Sequence, residues 1–320
     1  MSSRMSSSLL VAGLAFGQAT LDVEWRAPIG ELEERVDHRG CVCPDGTTVV
    51  TFSNGAYSLV DREGRLIAHR IRRHDLAGSL ASTCDKEGRV YLRSDPATVH
   101  VLRISGAELV SERTFQMPGL PFRFVLVGDT LWVLGAANLR PSGRPAYVRL
   151  FRTTGEFVRA PDLPLPRLAG KSPVAVFANG ALLFHPMRQQ VIYIPANPFR
   201  FFCFDFDGRL VEARDAVGTR HENADFRGVT AQAVHWSAVD WVRNAVCLPD
   251  GRVAVQVIKG NRPGGNVSFL ELYDSALNLI QRDIPIPFDL GYMLGADHQG
   301  DLRFGNFRVM GASIVKVRLR

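Results

Sequence analysis

The chain has 320 residues, 46% of them hydrophobic and 22% charged, and a formal net charge of +6. That length supports a large core needing no metal or disulfide to hold it, and the apolar content excludes a disordered chain. Four of the 38 basic residues are Lys and the rest Arg, scattered without a run of five, which excludes a nucleic-acid arm and leaves a modest preference for anionic partners.

Residues 1–19 differ from the rest. MSSRMSSS is small and polar with one Arg, LLVAGLAFG is a nine-residue apolar run, and Gly17-Gln18-Ala19 offers small residues at a cleavage site. This layout predicts a signal peptide and an exported protein, periplasmic or extracellular. The run is too short to span a bilayer as a helix, and no other stretch is long enough.

From Leu21 onward the chain alternates short apolar strands and tight turns. Hairpin cores read PDGTTVV (Pro44 to Val50), DKEGRVYL (Asp85 to Leu92), VGDTLWVL (Val127 to Leu134), ANGALLF (Ala178 to Phe184), PDGRVAV (Pro249 to Val255) and HQGDLRF (His298 to Phe304). Asp-Gly and Asn-Gly between apolar runs signal hairpins because the turn needs a positive φ. A second hairpin follows in most units, as in LVDREGRLIAHRI, VRLFRTTGEFVRA, FCFDFDGRLVEAR and LELYDSALNLIQRDI. Matched positions fall at Thr48, Val90, Leu131, Leu182, Val253 and Leu302, with an insertion at about 215–240 between the fourth and fifth units. Four-stranded units at about 40–50 residues predict β-propeller blades.

The sixth unit ends at SIVKVRLR without a fourth strand, and LDVEWRAPI (Leu21 to Ile29) has no hairpin partner of its own. The expectation is an all-β, six-bladed β-propeller of four-stranded antiparallel blades over residues 21–320, its ring closed by the N-terminal strand, which removes sheet edges. The strand–D-x-x-G-x-V/L–strand pattern, clearest in AVCLPDGRVAV with ELYDSALNLIQ and in CFDFDGRLVEA, resembles propellers of the NHL-repeat and TolB-like type. That resemblance implies the architecture and a ligand face at the channel mouth and the longer connections. It does not choose among lactonases, lyases, sugar dehydrogenases and binding modules.

Polar residues near the expected starts of inner strands are candidate channel lining: Arg39, Arg123, Lys171, Arg243, Asn244 and Tyr292. His185 is expected at the end of a second strand near the ligand face. The insertion carries His221, Glu222, Asp225, His235 and Asp240, without the spacing that forces metal ligation, and Trp236 and Trp241 are expected to pack it as a cap over the ring. There is no G-x-S-x-G, P-loop or G-x-G-x-x-G. These features favour a non-catalytic, monomeric module that recognises a protein, peptide or glycan through its long-loop face, with no cofactor. The alternative is a hydrolase or lyase of the lactonase-like propeller group using a divalent metal (Ca or Zn) at the channel, with Asp240 and Asn244 among its ligands.

Cys43, Cys84 and Cys247 recur three or four residues before a turn glycine, with Phe177 in the comparable place of the fourth unit. They are expected to be buried small hydrophobes at inner-strand ends, with neighbouring blades holding the sulfurs too far apart for a disulfide.

Overall fold

A computed structural model describes residues 19–30, 38–78, 81–94, 97–137, 146–165, 177–216, 240–259, 267–307 and 312–320. They form six four-stranded antiparallel sheets. Blade 1 is β2 (His38–Val42), β3 (Thr48–Phe52), β4 (Ala56–Val60) and β5 (Leu66–Arg72). Blade 2 is β6 (Ala81–Cys84), β7 (Arg89–Ser94), β8 (Thr98–Ser105) and β9 (Glu108–Gln116), and blade 3 is β10 (Leu120–Val127), β11 (Thr130–Ala137), β12 (Ala146–Arg152) and β13 (Phe157–Arg159). Blade 4 is β14 (Gly180–His185), β15 (Gln190–Pro195), β16 (Arg200–Phe204) and β17 (Leu210–Asp215). Blade 5 is β18 (Trp241–Cys247), β19 (Val253–Lys259), β20 (Val267–Tyr273) and β21 (Leu279–Pro285). Blade 6 is β22 (Tyr292–Ala296), β23 (Leu302–Asn306) and β24 (Ala312–Leu319), completed by β1 (Leu21–Gly30).

The closure expected from the unpaired terminal segment is present. β1 pairs with β24 from Leu21↔Leu319 to Gly30↔Ala312, and β1 buries Ala27 and Ile29. Trp25 Nε1 donates to Arg62 O at 3.1 Å, tying the closing strand to blade 1. The first strands of successive blades touch in turn, and β22 returns to β2, so they make a closed inner ring.

Each second strand is covered on both faces by neighbouring blades, which is why β3 is buried along its whole length. Outer strands such as β9 are mostly exposed instead. An apolar cluster fills each of the six blade interfaces; Val255, Tyr273 and Phe201 lie in that between blades 4 and 5, and Leu272, Phe304 and Val315 in that between blades 5 and 6. The turns from first to second strand use the glycines seen in the sequence. Gly46 has φ 87°, its N–H reaches Cys43 O at 2.9 Å, and Asp45 accepts from Thr47 N at 2.9 Å.

Blade 4 differs from the expected register. The Asn179-Gly180 signal does not mark a hairpin between first and second strands; Gly180 opens the first strand itself, with φ 111°. A Cβ there would lie 2.2 Å from Ile194 O, so the glycine permits close approach to β15. The blade's first turn is Pro186–Gln189, and the equivalent of Val90 and Leu131 is near Val191, not Leu182. Phe177 therefore precedes the blade and is not the counterpart of Cys43.

The cysteine expectation is overturned. Cys43 and Cys84 form a disulfide with a Cα–Cα distance of 5.1 Å. Blades splay outward from the axis, so adjacent first strands are the closest elements of the ring, within the 4.4–6.8 Å reach of a disulfide. Cys41 and Cys203 are buried and Cys247 half-buried, and all three are free thiols.

Candidate functional site

A cavity of about 210 Å³ lies in the channel, walled by the first strands of all six blades. Arg39, Arg123, Arg243 and Asn244 are positioned close to it: Arg39 is the second residue of β2, Arg123 lies in the first half of β10, and Arg243 and Asn244 are near the start of β18. Arg39, Arg123 and Asn244 line the cavity. Arg243 joins them through Arg123, whose Nη2 donates to Arg243 O at 2.8 Å while its Nε meets Gly180 O at 3.4 Å. Arg243 Cζ stands 4.5 Å from the centre of the Tyr292 ring and 5.6 Å from that of Trp241, a cation–π arrangement on two sides.

Irregular pairing aims these side chains. The β10–β11 ladder skips Phe122, the β18–β19 ladder skips Arg243, and the β22–β23 ladder skips Leu294. Each bulge re-directs the strand just where it meets the channel.

Asn244 is spoken for at both ends. Its Nδ2 donates to Met293 O at 2.8 Å, joining blade 5 to blade 6, and its Oδ1 accepts from Ala245 N at 3.0 Å. Burial pushes the Cys41 thiol up to about 12, against the lowering effect of a hydrogen bond with Ser82, and pushes Cys247 up to about 12. Both remain thiols at neutral pH, poor nucleophiles and poor metal ligands.

A divalent ion does not fit this donor set. Calcium takes carboxylate and carbonyl oxygens, and zinc takes His, thiolate or carboxylate. Among the described residues the cavity wall has no Asp, Glu or His, and its arginines repel a cation. Nor do three His, Cys, Asp or Glu side chains cluster elsewhere among the described residues. Asp240 is not part of the wall; its carbonyl accepts from Asn197 Nδ2 at 3.0 Å.

Of the residues singled out in the sequence, Arg39, Arg123, Arg243, Asn244 and Tyr292 come together here. His185 does not. It ends a first strand, on the face opposite the long connections, where it is fully buried and its Nδ1 accepts from Arg188 N at 3.3 Å. The shifted register of blade 4 accounts for its displacement. Lys171, His235 and Trp236 lie outside the described residues, as do His221, Glu222, Asp225, nearly all of the 215–240 insertion, and residues 1–18 of the expected signal peptide. Sequence reasoning missed Ser82, Thr83 and Phe122 in the cavity wall. The short polar pair in ASTC was the one visible signal for Ser82 and Thr83, and Phe122 had none.

No family model and no curated relative matches the sequence. Solved structures match in fold. A gluconolactonase from Xanthomonas campestris is 12% identical, with 94% of this chain and 98% of that one covered at a TM-score of 0.53. A protein of unknown function from Bacteroides caccae is 13% identical, with 78% and 82% covered at 0.51. A putative oxidoreductase (glucose dehydrogenase) from Thermus thermophilus is 16% identical, with 92% and 99% covered at 0.50. At such identities the likeness is one of fold.

Proposed function

We propose that this propeller takes a small, oxygen-rich ligand of the sugar-lactone or sugar-acid kind at the channel mouth and acts as a lactonase-like hydrolase. The observation that carries the reading is the polar cavity of about 210 Å³ with Arg39 and Arg123 in its wall and Arg243 beside Arg123. A cavity of about 150 Å³ holds benzene, so there is room for a six-carbon ring. Guanidinium groups stabilise the oxyanion that develops when a lactone carbonyl is attacked. The gluconolactonase and putative glucose dehydrogenase neighbours support a sugar-type ligand. Since the described channel wall does not suit a divalent ion, the activity is expected to survive chelators.

The test is proton release from glucono-δ-lactone and a panel of γ- and δ-lactones, followed with a pH indicator. Hydrolysis above the spontaneous rate, reduced tenfold or more in Arg123→Gln, is expected. No acceleration with any lactone sinks the catalytic part.

A second reading, non-catalytic recognition of a protein, peptide or glycan, is favoured by the lack of a general base among the described cavity residues. Capture that persists when the 215–240 insertion is deleted would count against it. The Cys43–Cys84 disulfide, with the N-terminal pattern, supports export to an oxidising compartment. We read the protein as a monomer whose six blades bury their apolar faces against one another within the ring.

A further inference from the structure

The first strand of blade 6, β22, is the last strand of its sheet and has one edge that no strand pairs. Backbone groups on such an edge need other partners where water is excluded. Around Tyr292 two amide side chains of blade 5 supply them. Gln256 Oε1 accepts from Met293 N at 2.9 Å, and its Nε2 donates to Gly291 O at 3.0 Å and to Ser268 Oγ at 2.8 Å. Asn244 Nδ2 donates to Met293 O at 2.8 Å. Asn244 and Gln256 are partners in the β18–β19 register, so together they meet the Gly291–Met293 backbone much as a neighbouring strand would. These backbone partners also fix which end of each amide is oxygen and which is nitrogen. Gln256 is 0% exposed, with its oxygen and both amide hydrogens engaged.

The clamped segment lies at the channel mouth. Tyr292 sits between the two clamped residues, with Arg243 Cζ 4.5 Å from its ring centre. Arg243 O in turn accepts from Nη2 of Arg123, a cavity-wall residue. Leu294, which follows Met293, is bulged out of the β22–β23 ladder and belongs to the same wall. The blades are separate sheets and share no ladder, so side-chain bonds of this kind set where β22 meets the channel. We propose that Gln256, which does not itself line the cavity, is a positioning residue of the ligand site. Paired with Asn244, it fixes Leu294 in the wall and Tyr292 at the mouth, and through Tyr292 the contact between Arg243 and Arg123. This deepens the reading of the channel mouth as the ligand site and rests on it. A misplacement of about 1 Å in a site of this kind costs up to about a hundredfold in rate.

The experiment compares two variants of the full chain, each checked for folding by its urea unfolding curve. Gln256→Met keeps the side-chain length and removes the amide. Its kcat/KM on glucono-δ-lactone should fall about tenfold. Trp241 stands 5.6 Å from Arg243 Cζ, so Trp241 emission, taken as the full chain minus Trp241→Phe in each background, should change as well. Gln256→Glu is the conservative variant. At this buried position the carboxyl keeps its proton at about pH 6, and a protonated carboxyl both accepts and donates, as the amide does. Emission and kcat/KM should then match wild type. Above about pH 9 the ionised group has no donor for Gly291 O, and emission should depart from that of wild type at the same pH. That pH arm also serves if Gln256→Met does not fold. Wild-type emission or wild-type kcat/KM in folded Gln256→Met overturns the inference, as does emission of Gln256→Glu that follows wild type at both pH values. Failure of both variants to fold would make Gln256 a residue of the ring alone and overturn it too. If wild type hydrolyses no lactone, the hydrolase reading fails and the emission arms judge the clamp by themselves.

Discussion

The disulfide between blades 1 and 2 gives a stability prediction that follows from chain connectivity. Replacing Cys43 and Cys84 together by Ala removes a cross-link between residues separated by 41 positions. In the chain-entropy description, closing such a loop lowers the entropy of the unfolded chain by about 13 cal/mol/K, worth about 4 kcal/mol at 25 °C. With an unfolding entropy of about 2.1 cal/mol/K per residue, that corresponds to a fall in Tm of about 6 °C. Both cysteines sit in the apolar cluster between blades 1 and 2, so alanine avoids burying a hydroxyl. The assay is guanidinium unfolding of the oxidised protein, the reduced protein and the double variant, with thiols counted in denaturant before and after reduction. Three thiols should react before reduction and all five after it. Reduced wild type and the double variant should unfold at similar, lower denaturant concentrations than oxidised wild type. Five reactive thiols before reduction, or a midpoint indifferent to reductant, would refute the reasoning.

Deleting residues 1–30 should prevent blade 6 from closing and leave the chain aggregating, and a synthetic Leu21–Gly30 peptide added in refolding should restore folded protein; a folded monomer without the strand would contradict the closure argument. Asp297 and Arg303 form a buried ion pair at 2.7 Å with side chains 2% and 0% exposed, so Asp297→Ala should cost about 3–5 kcal/mol in urea unfolding by stranding a buried charge. Burial lowers the pKa values of His100 and His185, so the unfolded chain takes up their protons first as pH falls. Their stabilising effect is present above the unfolded-state value of about 6.5 and is lost as pH drops through it towards the depressed folded values. Urea midpoints should therefore fall between pH 7.5 and pH 5.5 by an amount that shrinks in His100→Gln, and an equal fall in that variant would exclude His100 as a source.

Most of the architecture was legible because a propeller blade is a local object. Each hairpin announces itself within a dozen residues through alternation and a turn glycine, and the repeat then counts the blades. Blade 4 shows the limit. Asn179-Gly180 has the composition of a hairpin turn, yet its glycine answers to the backbone of β15, a contact invisible in the local pattern. That one shift carried His185 to the wrong face.

The amino-acid sequence alone determined six blades, their four-strand composition and the strand that closes the ring, since strand pairing between neighbours and leftover termini are properties of order along the chain. Tertiary structure decided the site and the cross-link. Arg39, Arg123 and Arg243 are far apart in sequence, and nothing near any of them encodes the others. They meet because closing the ring brings the first strand of every blade to one axis, and because bulges beside Arg123 and at Arg243 set where those strands meet it. The same convergence brings Cys43 within 5.1 Å of Cys84, a distance fixed by how tightly the inner strands crowd the channel.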